Sequence, residues 1–270
     1  MNDATRPDPQ AAQSSANGSP EGSARRDGTE LDATRAYYDE FSHRYEDKRG
    51  GREPDGYHDL IDTLEVELVR RYASGADVLE VGCGTGLLLE RFGKFARSAR
   101  GVDLSPGMLA HARARGLTVD EASATALPFA DASFDVACSF KVLAHVREIE
   151  TALAEMARVV RPGGAVIAEF YNPHSLRALA KRLGPAGAIS DKTREDAVFT
   201  RFDSPSTVAR MAPPGTTMIA ARGVRIVTPT AGALKIPLIA SLLIRAEHAL
   251  CDSPLRRFAG FYIAVYRKRG

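Results

Sequence analysis

The chain has 270 residues, of which 44% are hydrophobic and 26% charged, an ordinary composition for a globular protein. Its 36 basic and 34 acidic residues give a net charge of +2, so no global field attracts nucleic acid or an anionic membrane. Cys83, Cys138 and Cys251 are widely spaced and form neither a metal-ligand pattern nor a disulfide framework. We therefore expect reduced thiols, no metal, no transmembrane segment and a cytoplasmic location.

The first part of the chain lacks the residues that build a core. Residues 2–30 contain no valine, isoleucine, leucine, phenylalanine or tyrosine, and they are rich in alanine, serine, glycine, proline and charge. Burial of such side chains cannot offset the entropy lost when the backbone is ordered. The sequence predicts a disordered tail over residues 1–30 and a single folded domain over residues 31–270.

Two helices are predicted at the start of the folded domain, over residues 31–48 and 57–72. The first is rich in aromatic residues, and its Tyr38, Phe41 and Tyr45 follow helical spacing. Strand and helix patterns then alternate: strand 78–81, helix 87–95, strand 99–104, helix 108–115, strand 134–140, helix 148–160 and strand 165–170. Alternation of this kind predicts a parallel sheet with helices on both faces.

The C-terminal third of the chain is organised differently. Two more strands are predicted, over residues 217–227 and 261–267, with an apolar helical segment over residues 233–250 between them. An irregular insertion over residues 171–215 separates the predicted strand 165–170 from the predicted strand 217–227. A second insertion covers residues 228–260.

A glycine-rich turn follows the first predicted strand. Residues 80–86 read E-V-G-C-G-T-G and lead directly into a helix. In an open α/β sheet the ligand binds at the carboxyl ends of the strands, and glycines allow backbone to approach it closely. Asp103 closes the next strand, where its carboxylate can accept hydrogen bonds from ribose hydroxyls. The alternative for Asp103 is a capping carboxylate without a ligand.

The pattern of this turn argues against two phosphate-binding classes. Dinucleotide-binding proteins carry G-x-G-x-x-G, whereas this chain has G-x-G-x-G with Leu87 where the last glycine would fall. The turn also lacks the lysine of a P-loop. A cofactor without phosphates fits the turn better.

Four blocks of sequence carry a resemblance to a known family. They read E-V-G-C-G-T-G (80–86), G-V-D-L-S-P-G-M-L (101–109), S-A-T-A-L-P-F with S-F-D-V (123–136), and R-V-V-R-P-G-G (158–164). In this order they resemble the class I S-adenosylmethionine-dependent methyltransferases, the branch with the L-P-F signature. The resemblance implies S-adenosyl-L-methionine as cofactor. It also implies a Rossmann-like, seven-stranded, mostly parallel sheet with an antiparallel last strand, helices on both faces and helical lid elements.

The resemblance also implies which residues bind the cofactor. They are Gly82, Cys83, Gly84, Gly86, Asp103, Leu104, Ser123, Ala124 and Phe140. The chain departs from many relatives at Ser123, where they carry an aspartate that contacts the adenine amino group. A hydroxyl can still accept that hydrogen bond, and the Ala124 amide can donate to the ring, but an uncharged acceptor makes a weaker contact.

Candidate residues for the reaction itself follow the predicted strand 134–140. The leaving group of methyl transfer is a neutral thioether, so a base is needed only when the acceptor arrives protonated. His145 is the candidate base, and Lys141, four residues earlier, is a candidate for the acceptor pocket. The alternatives are that His145 braces a loop and that Lys141 is solvated.

The acceptor is less defined by the sequence than the cofactor. Tyr37, Tyr38 and Phe41 are predicted to line its pocket as part of an N-terminal lid over residues 31–72, or else to pack that helix on the sheet. The apolar segment 233–250 favours an apolar or amphipathic small molecule of natural-product, quinone or lipid type, and transient lipid contact. The sequence shows no cluster of basic residues interleaved with aromatic ones, so we expect no binding of nucleic acid.

Two other functions and the oligomeric state stay open at this point. The chain could be a non-catalytic S-adenosylmethionine-binding subunit, because methyl transfer requires no obligatory catalytic residue. A nicotinamide-dependent oxidoreductase is disfavoured by the glycine pattern and the L-P-F block. The sequence does not distinguish a monomer from a homodimer.

Overall fold

The computed structural model describes residues 32, 34–46, 56–175 and 199–270. The predicted tail over residues 1–30 lies outside the described residues, as does part of the predicted insertion 171–215. Within the described ranges the helices are α1 (34–46), α2 (Tyr57–Ala73), α3 (Leu87–Phe92), α4 (Pro106–Ala114), α5 (Ile149–Val159), α6 (Pro205–Arg210) and α7 (Pro237–Leu250). The strands are β1 (Asp77–Val81), β2 (Ser98–Asp103), β3 (Thr118–Glu121), β4 (Phe134–Ser139), β5 (Val160–Tyr171), β6 (Thr216–Val224) and β7 (Phe261–Lys268).

The strands form one seven-stranded sheet in the order β3-β2-β1-β4-β5-β7-β6. The first five strands are parallel, and β7 lies antiparallel between β5 and β6. The predicted fold class is therefore confirmed. Because the chain proceeds outward on both sides of β1, strand order reverses between β1 and β4, and that switch point is where such sheets bind ligands.

Buried side chains cover both faces of the sheet. Val78, Val136 and Ile167 belong to one buried cluster, which includes residues of α2, α3 and α4. Their neighbours Leu79 and Ala137 belong to a second cluster on the opposite face, with α5 and α6. Burial on both faces explains why these strands read as nearly continuous apolar runs.

Several predicted boundaries differ from the structure. The edge strand β3 was not predicted, because only Val119 of its four residues is buried. Strand β5 begins at Val160 rather than at residue 165, because Val160 pairs with Phe134 before a register shift. The predicted strand 217–227 ends at Val224 rather than at residue 227.

The insertion 171–215 is also not irregular throughout, because it contains α6. Ser204 caps this helix by accepting a hydrogen bond from the backbone N–H of Thr207 at 3.2 Å, and Pro205 occupies the first helical position. None of the helices within the described ranges is long and apolar enough to cross a membrane.

Candidate active site

A cavity of about 1050 Å³ lies at the carboxyl ends of β1, β2 and β4. It brings together eight of the nine predicted cofactor residues with the predicted base and the predicted acceptor residues. These are Gly82, Cys83, Gly84, Asp103, Leu104, Ser123, Ala124, Phe140, His145, Tyr37, Tyr38, Phe41 and Lys141. Residues that are distant in the sequence thus share one cavity, as the parallel topology predicts.

The glycine turn is shaped by close contacts and by positive backbone angles. The N–H groups of Gly82 and Cys83 both donate to the Val102 carbonyl, at 2.7 and 2.9 Å, which joins the turn to β2. Gly82 has φ +77°, and a β-carbon there would lie 2.2 Å from Cγ2 of Val142. Gly84 has φ +53°, and a β-carbon there would meet no atom of the described residues within 4 Å. Backbone at Gly84 is therefore open to a ligand.

Gly86 is the predicted cofactor residue that does not line the cavity. It precedes α3 in a left-handed conformation with φ +83°. A β-carbon there would lie 2.3 Å from Cδ1 of Leu117 and 3.2 Å from Cβ of Ala112. Its visible role is to let α3 begin close to the end of α4.

Asp103 caps local backbone from within the cavity. Its Oδ2 accepts a hydrogen bond from Gly84 N at 2.8 Å, and its Oδ1 accepts one from Ser105 N at 2.9 Å. Burial raises the pKa of Asp103, and these N–H donors oppose the rise. Each carboxylate oxygen has two lone pairs, so acceptor capacity remains for a ligand. The capping and ligand-binding interpretations are compatible.

Helix α1 is fixed to the core through Asp39. Its Oδ1 accepts hydrogen bonds from Oγ of Ser105 at 2.5 Å and from Gly107 N at 2.9 Å. The same Ser105 hydroxyl accepts from Met108 N at 3.1 Å and thereby caps α4. A carboxylate at a helix N-terminus is also favoured by the helix dipole. Two ion pairs hold α1 nearer its ends, Arg35 with Glu121 and Glu46 with Arg115.

The aromatic residues of α1 form one wall of the cavity. The rings of Tyr37 and Phe41 stack with centroids 5.9 Å apart, and Tyr38 meets the His145 ring edge-on at 6.4 Å. Burial raises the pKa of Tyr38, which keeps its phenol protonated. These residues both pack the helix and line the cavity.

His145 lies in a short 3₁₀ helix, Leu143–His145, directly after β4. Its Nδ1 is 2.9 Å from the Phe199 carbonyl oxygen, so the neutral ring carries the proton on Nδ1 and leaves Nε2 as an acceptor. Burial lowers the pKa of His145. The contact with Phe199 braces the loop, and a neutral ring is what a base requires.

Lys141 is held in a buried ion pair rather than solvated. It adopts a left-handed backbone with φ +60°. Its Nζ lies 2.6 and 2.7 Å from the two carboxylate oxygens of Glu65 and 3.5 Å from Asp62. Its backbone N–H donates to Glu169 at 3.2 Å. The charge of Lys141 is thus compensated by α2 and β5.

Further cavity residues were not singled out from the sequence. Tyr171 ends β5, and its ring lies 5.9 Å from that of His145. The rule that ligands bind at carboxyl strand ends would have identified it. Phe199 and Phe202 come from the insertion, and Arg225 follows β6. No local sequence pattern marks these three as neighbours of the glycine turn.

Comparison with known proteins connects this geometry to a family. The family described as "Methyltransferase domain" matches residues 79–168. A ubiquinone biosynthesis O-methyltransferase from Thiobacillus denitrificans is 31% identical over 186 residues, which cover 66% of this chain and 79% of that protein. The chain belongs to the class I S-adenosylmethionine-dependent methyltransferases. It is accordingly a methyltransferase whose cofactor is S-adenosyl-L-methionine, as the sequence predicted.

Other relatives of this methyltransferase agree with the assignment. A demethylmenaquinone methyltransferase from Renibacterium salmoninarum is 43% identical over 102 residues, covering 37% of this chain and 43% of that protein. The crystal structure of a methyltransferase from Thermotoga maritima, described as a possible histamine N-methyltransferase, matches with a TM-score of 0.62. It covers 87% of this chain and 99% of its own at 20% identity, a likeness that shows the fold alone.

Proposed function

We propose that this methyltransferase methylates a small apolar or amphipathic molecule of quinone, natural-product or lipid type. The cofactor would lie along the glycine turn, and the acceptor would lie against the aromatic wall of α1. The observation that carries the proposal is the continuity of the cavity, which joins Gly84 and Asp103 to Tyr37, Tyr38 and His145.

The residues of the turn fit S-adenosylmethionine. Gly84 is open toward a ligand, Asp103 keeps lone pairs for the ribose hydroxyls, and Leu104 and Phe140 offer apolar surface to an adenine. Ser123 Oγ accepts from Thr125 N at 3.2 Å and lies 2.8 Å from Oγ1 of Thr125. Its remaining capacity is therefore a weaker partner for the adenine amino group than a carboxylate.

When bound, the cofactor supplies a methyl group on a sulfonium sulfur. The chain orients the acceptor, excludes water from it and supplies a proton acceptor. The wall of Tyr37, Tyr38 and Phe41 excludes water from the acceptor and orients an aromatic ring. The neutral His145 ring accepts a hydroxyl proton at Nε2, while the Phe199 carbonyl fixes its tautomer.

Cavity size and wall chemistry favour an apolar small molecule as acceptor. Small-molecule sites usually have volumes of about 300–1,000 Å³, and this cavity has about 1050 Å³ for cofactor and acceptor together. The two curated relatives are named for ubiquinone biosynthesis and for demethylmenaquinone. Both names support an acceptor of quinone type. Three free buried cysteines support a reducing, cytoplasmic location.

Two measurements test the proposal. Calorimetry should show binding of S-adenosylhomocysteine and none of NAD, and the reverse result would favour an oxidoreductase. A panel of hydroquinones, phenolic natural products, lipids and polar amines should then give S-adenosylhomocysteine release only with the apolar acceptors. Cofactor binding without turnover on any member would favour a non-catalytic subunit.

A further inference from the structure

Helix α7 and the residue before it expose a row of large apolar side chains, which we call the α7 apolar surface. It consists of Ile236, Leu238, Ile239 and Leu242, which are 52%, 87%, 42% and 68% exposed. A surface helix ordinarily turns polar residues to water and apolar residues to the core. Among the described residues, nothing covers this surface, so it is open to an apolar partner.

The helix has two opposite faces, which the 3.6-residue period separates. Ala240, Glu247 and the C-cap residue Cys251 lie on the inner face and are buried. Leu238 and Leu242 lie on the opposite face, followed along the same row by exposed Arg245. The outward face is apolar for two turns and then basic.

Among the described residues, the charged side chains that flank the α7 apolar surface along the chain are basic. Exposed Lys235 precedes it and exposed Arg245 follows it. The one carboxylate of α7, Glu247, is buried and accepts hydrogen bonds from the N–H groups of the loop that follows β6. Asp252, beyond the far end of the helix, pairs with Arg222. Anionic groups would complement such a surface.

We propose that the α7 apolar surface docks on a lipid bilayer that contains anionic lipid. A helix with an outward apolar row and flanking cations lies in the plane of a membrane interface, with leucines among acyl chains and cations at head groups. A symmetric contact between two copies centred on Leu238 and Leu242 would instead bring like charges together.

The surface is also connected to the cavity. The segment that carries α7 leaves the cavity wall at Arg225 and returns to it at Gly260 and Phe261. Glu247 ties α7 to the loop after β6 through Ile226, Val227 and Thr228, at 2.8–2.9 Å. Docking would therefore place the cavity rim near the bilayer, where an apolar acceptor concentrates. This last step alone rests on the proposed function.

Vesicle binding by the full chain tests the proposal. The measurement is co-flotation with vesicles of phosphatidylcholine that contain 30% phosphatidylglycerol, and with vesicles of phosphatidylcholine alone. The unmodified chain should partition onto the anionic vesicles, and L238Q/L242Q should reduce partitioning at least tenfold. K235Q/R245Q should reduce it by roughly fivefold per charge, on the anionic vesicles only.

Ile219→Gln is the matched control, because Ile219 is a 47% exposed apolar residue on β6, away from α7. This variant should bind vesicles like the unmodified chain, and all variants should keep their melting temperature and S-adenosylhomocysteine affinity. Equal vesicle binding by L238Q/L242Q would overturn the proposal. The proposal would also be overturned if the unmodified chain formed a dimer that L238Q/L242Q dissociates and did not bind vesicles. Neither outcome depends on methyl transfer, so the proposed function is tested separately.

Discussion

Asp103 caps local backbone and is proposed to bind the cofactor, and its replacement separates the two roles. In Asp103→Ala the N–H groups of Gly84 and Ser105 lose their acceptor, and the proposed ribose contact loses a charged acceptor. Hydrogen bonds to charged groups contribute about 1.5–3 kcal/mol each. We expect S-adenosylhomocysteine affinity, measured by calorimetry, to fall at least tenfold while the fold survives.

Asp120→Ala provides the control for that experiment. Asp120 lies on β3, pairs with Arg100 at 2.6 Å and does not line the cavity among the described residues. This variant should lose some stability and keep cofactor affinity. Unchanged affinity in Asp103→Ala would show that the cofactor does not contact this carboxylate.

The proposed role of His145 as a base predicts how turnover depends on pH. If it is the base, His145→Ala should lower turnover roughly 10²–10⁴-fold with little change in cofactor affinity, and an alkaline buffer should partly restore the rate. Burial lowers the pKa of His145 below its ordinary 6.5, so the acid limb of the unmodified enzyme should lie below pH 6.5. For the same reason this group contributes stability that is lost as pH falls below 6.5.

If His145 only braces the loop through its contact with Phe199, His145→Ala should give a different result. Loss of the brace would lower the melting temperature and the cofactor affinity together, and an alkaline buffer would not restore the rate. That outcome would show that His145 is not the base. His111→Ala on α4 is a suitable control, because His111 does not line the cavity among the described residues. It should leave the pH profile unchanged.

At the scale of residues, the sequence predicted the parts of the site that local pattern determines. Gly84 follows β1 and Asp103 ends β2, and the alternation of strand and helix patterns predicted both strands. The partners Asp39 and Glu65 could not be predicted, because each meets its contact across more than 60 positions of sequence. From sequence alone, a carboxylate on an amphipathic helix is predicted to be solvated. Only the fold shows that a backbone N–H or a lysine lies beside it.

At the scale of elements, α1 depends on Asp39 for its position. In Asp39→Ala, Ser105 and Gly107 lose a charged acceptor. The aromatic wall should then move away from the cavity. We expect KM for the acceptor to rise about tenfold or more, on the basis of about 1.5–3 kcal/mol per lost bond, and cofactor affinity to change less.

Glu40→Ala is the matched control on the same helix. Glu40 is exposed, and its ion pair with Arg44 at 3.7 Å is of a kind that contributes little. An equal effect of both substitutions on KM would mean that α1 responds to charge in general. No effect of Asp39→Ala would mean that the ion pairs Arg35–Glu121 and Glu46–Arg115 suffice to hold the helix.

The elements themselves were predicted where burial was strong. Strands β1 and β4 are short apolar runs, and the sequence located both within about a residue. Strand β3 was not predicted, because it lies at the edge of the sheet and buries only one residue, which is too few to give an apolar pattern. Helix α6 could have been predicted from Ser204 and Pro205, because a capping serine followed by proline also begins α4 at Ser105 and Pro106.

At the scale of the whole molecule, stability depends on acids that are buried beneath the cavity. Glu65 on α2 and Glu169 on β5 are buried, and Lys141 lies between them. Burial raises the pKa of both glutamates, and the charge of Lys141 opposes the rise. Nearby Asp62 adds negative charge. The folded chain therefore holds protons that the unfolded chain has released above its ordinary glutamate pKa.

The sign of this linkage leads to a test with Glu169→Gln. Groups with a raised pKa bind more protons when folded, so their contribution to stability is lost as pH rises from about 4.5 through the folded pKa. A glutamine resembles the protonated acid at every pH. The melting temperature of the variant should therefore rise relative to the unmodified chain between pH 5 and 8, by about 3–6 °C per pKa unit removed.

Glu155→Gln should show the opposite sign, which makes the comparison decisive. The pKa of Glu155 is lowered, first by its hydrogen bond with Arg158, so its charge stabilises the fold above the ordinary pKa. Its replacement should lower the melting temperature near neutral pH by a constant amount. If Glu169→Gln also falls by a constant amount, then Glu169 is charged in the folded chain. Both glutamates would then share the positive charge of Lys141, with no proton to release.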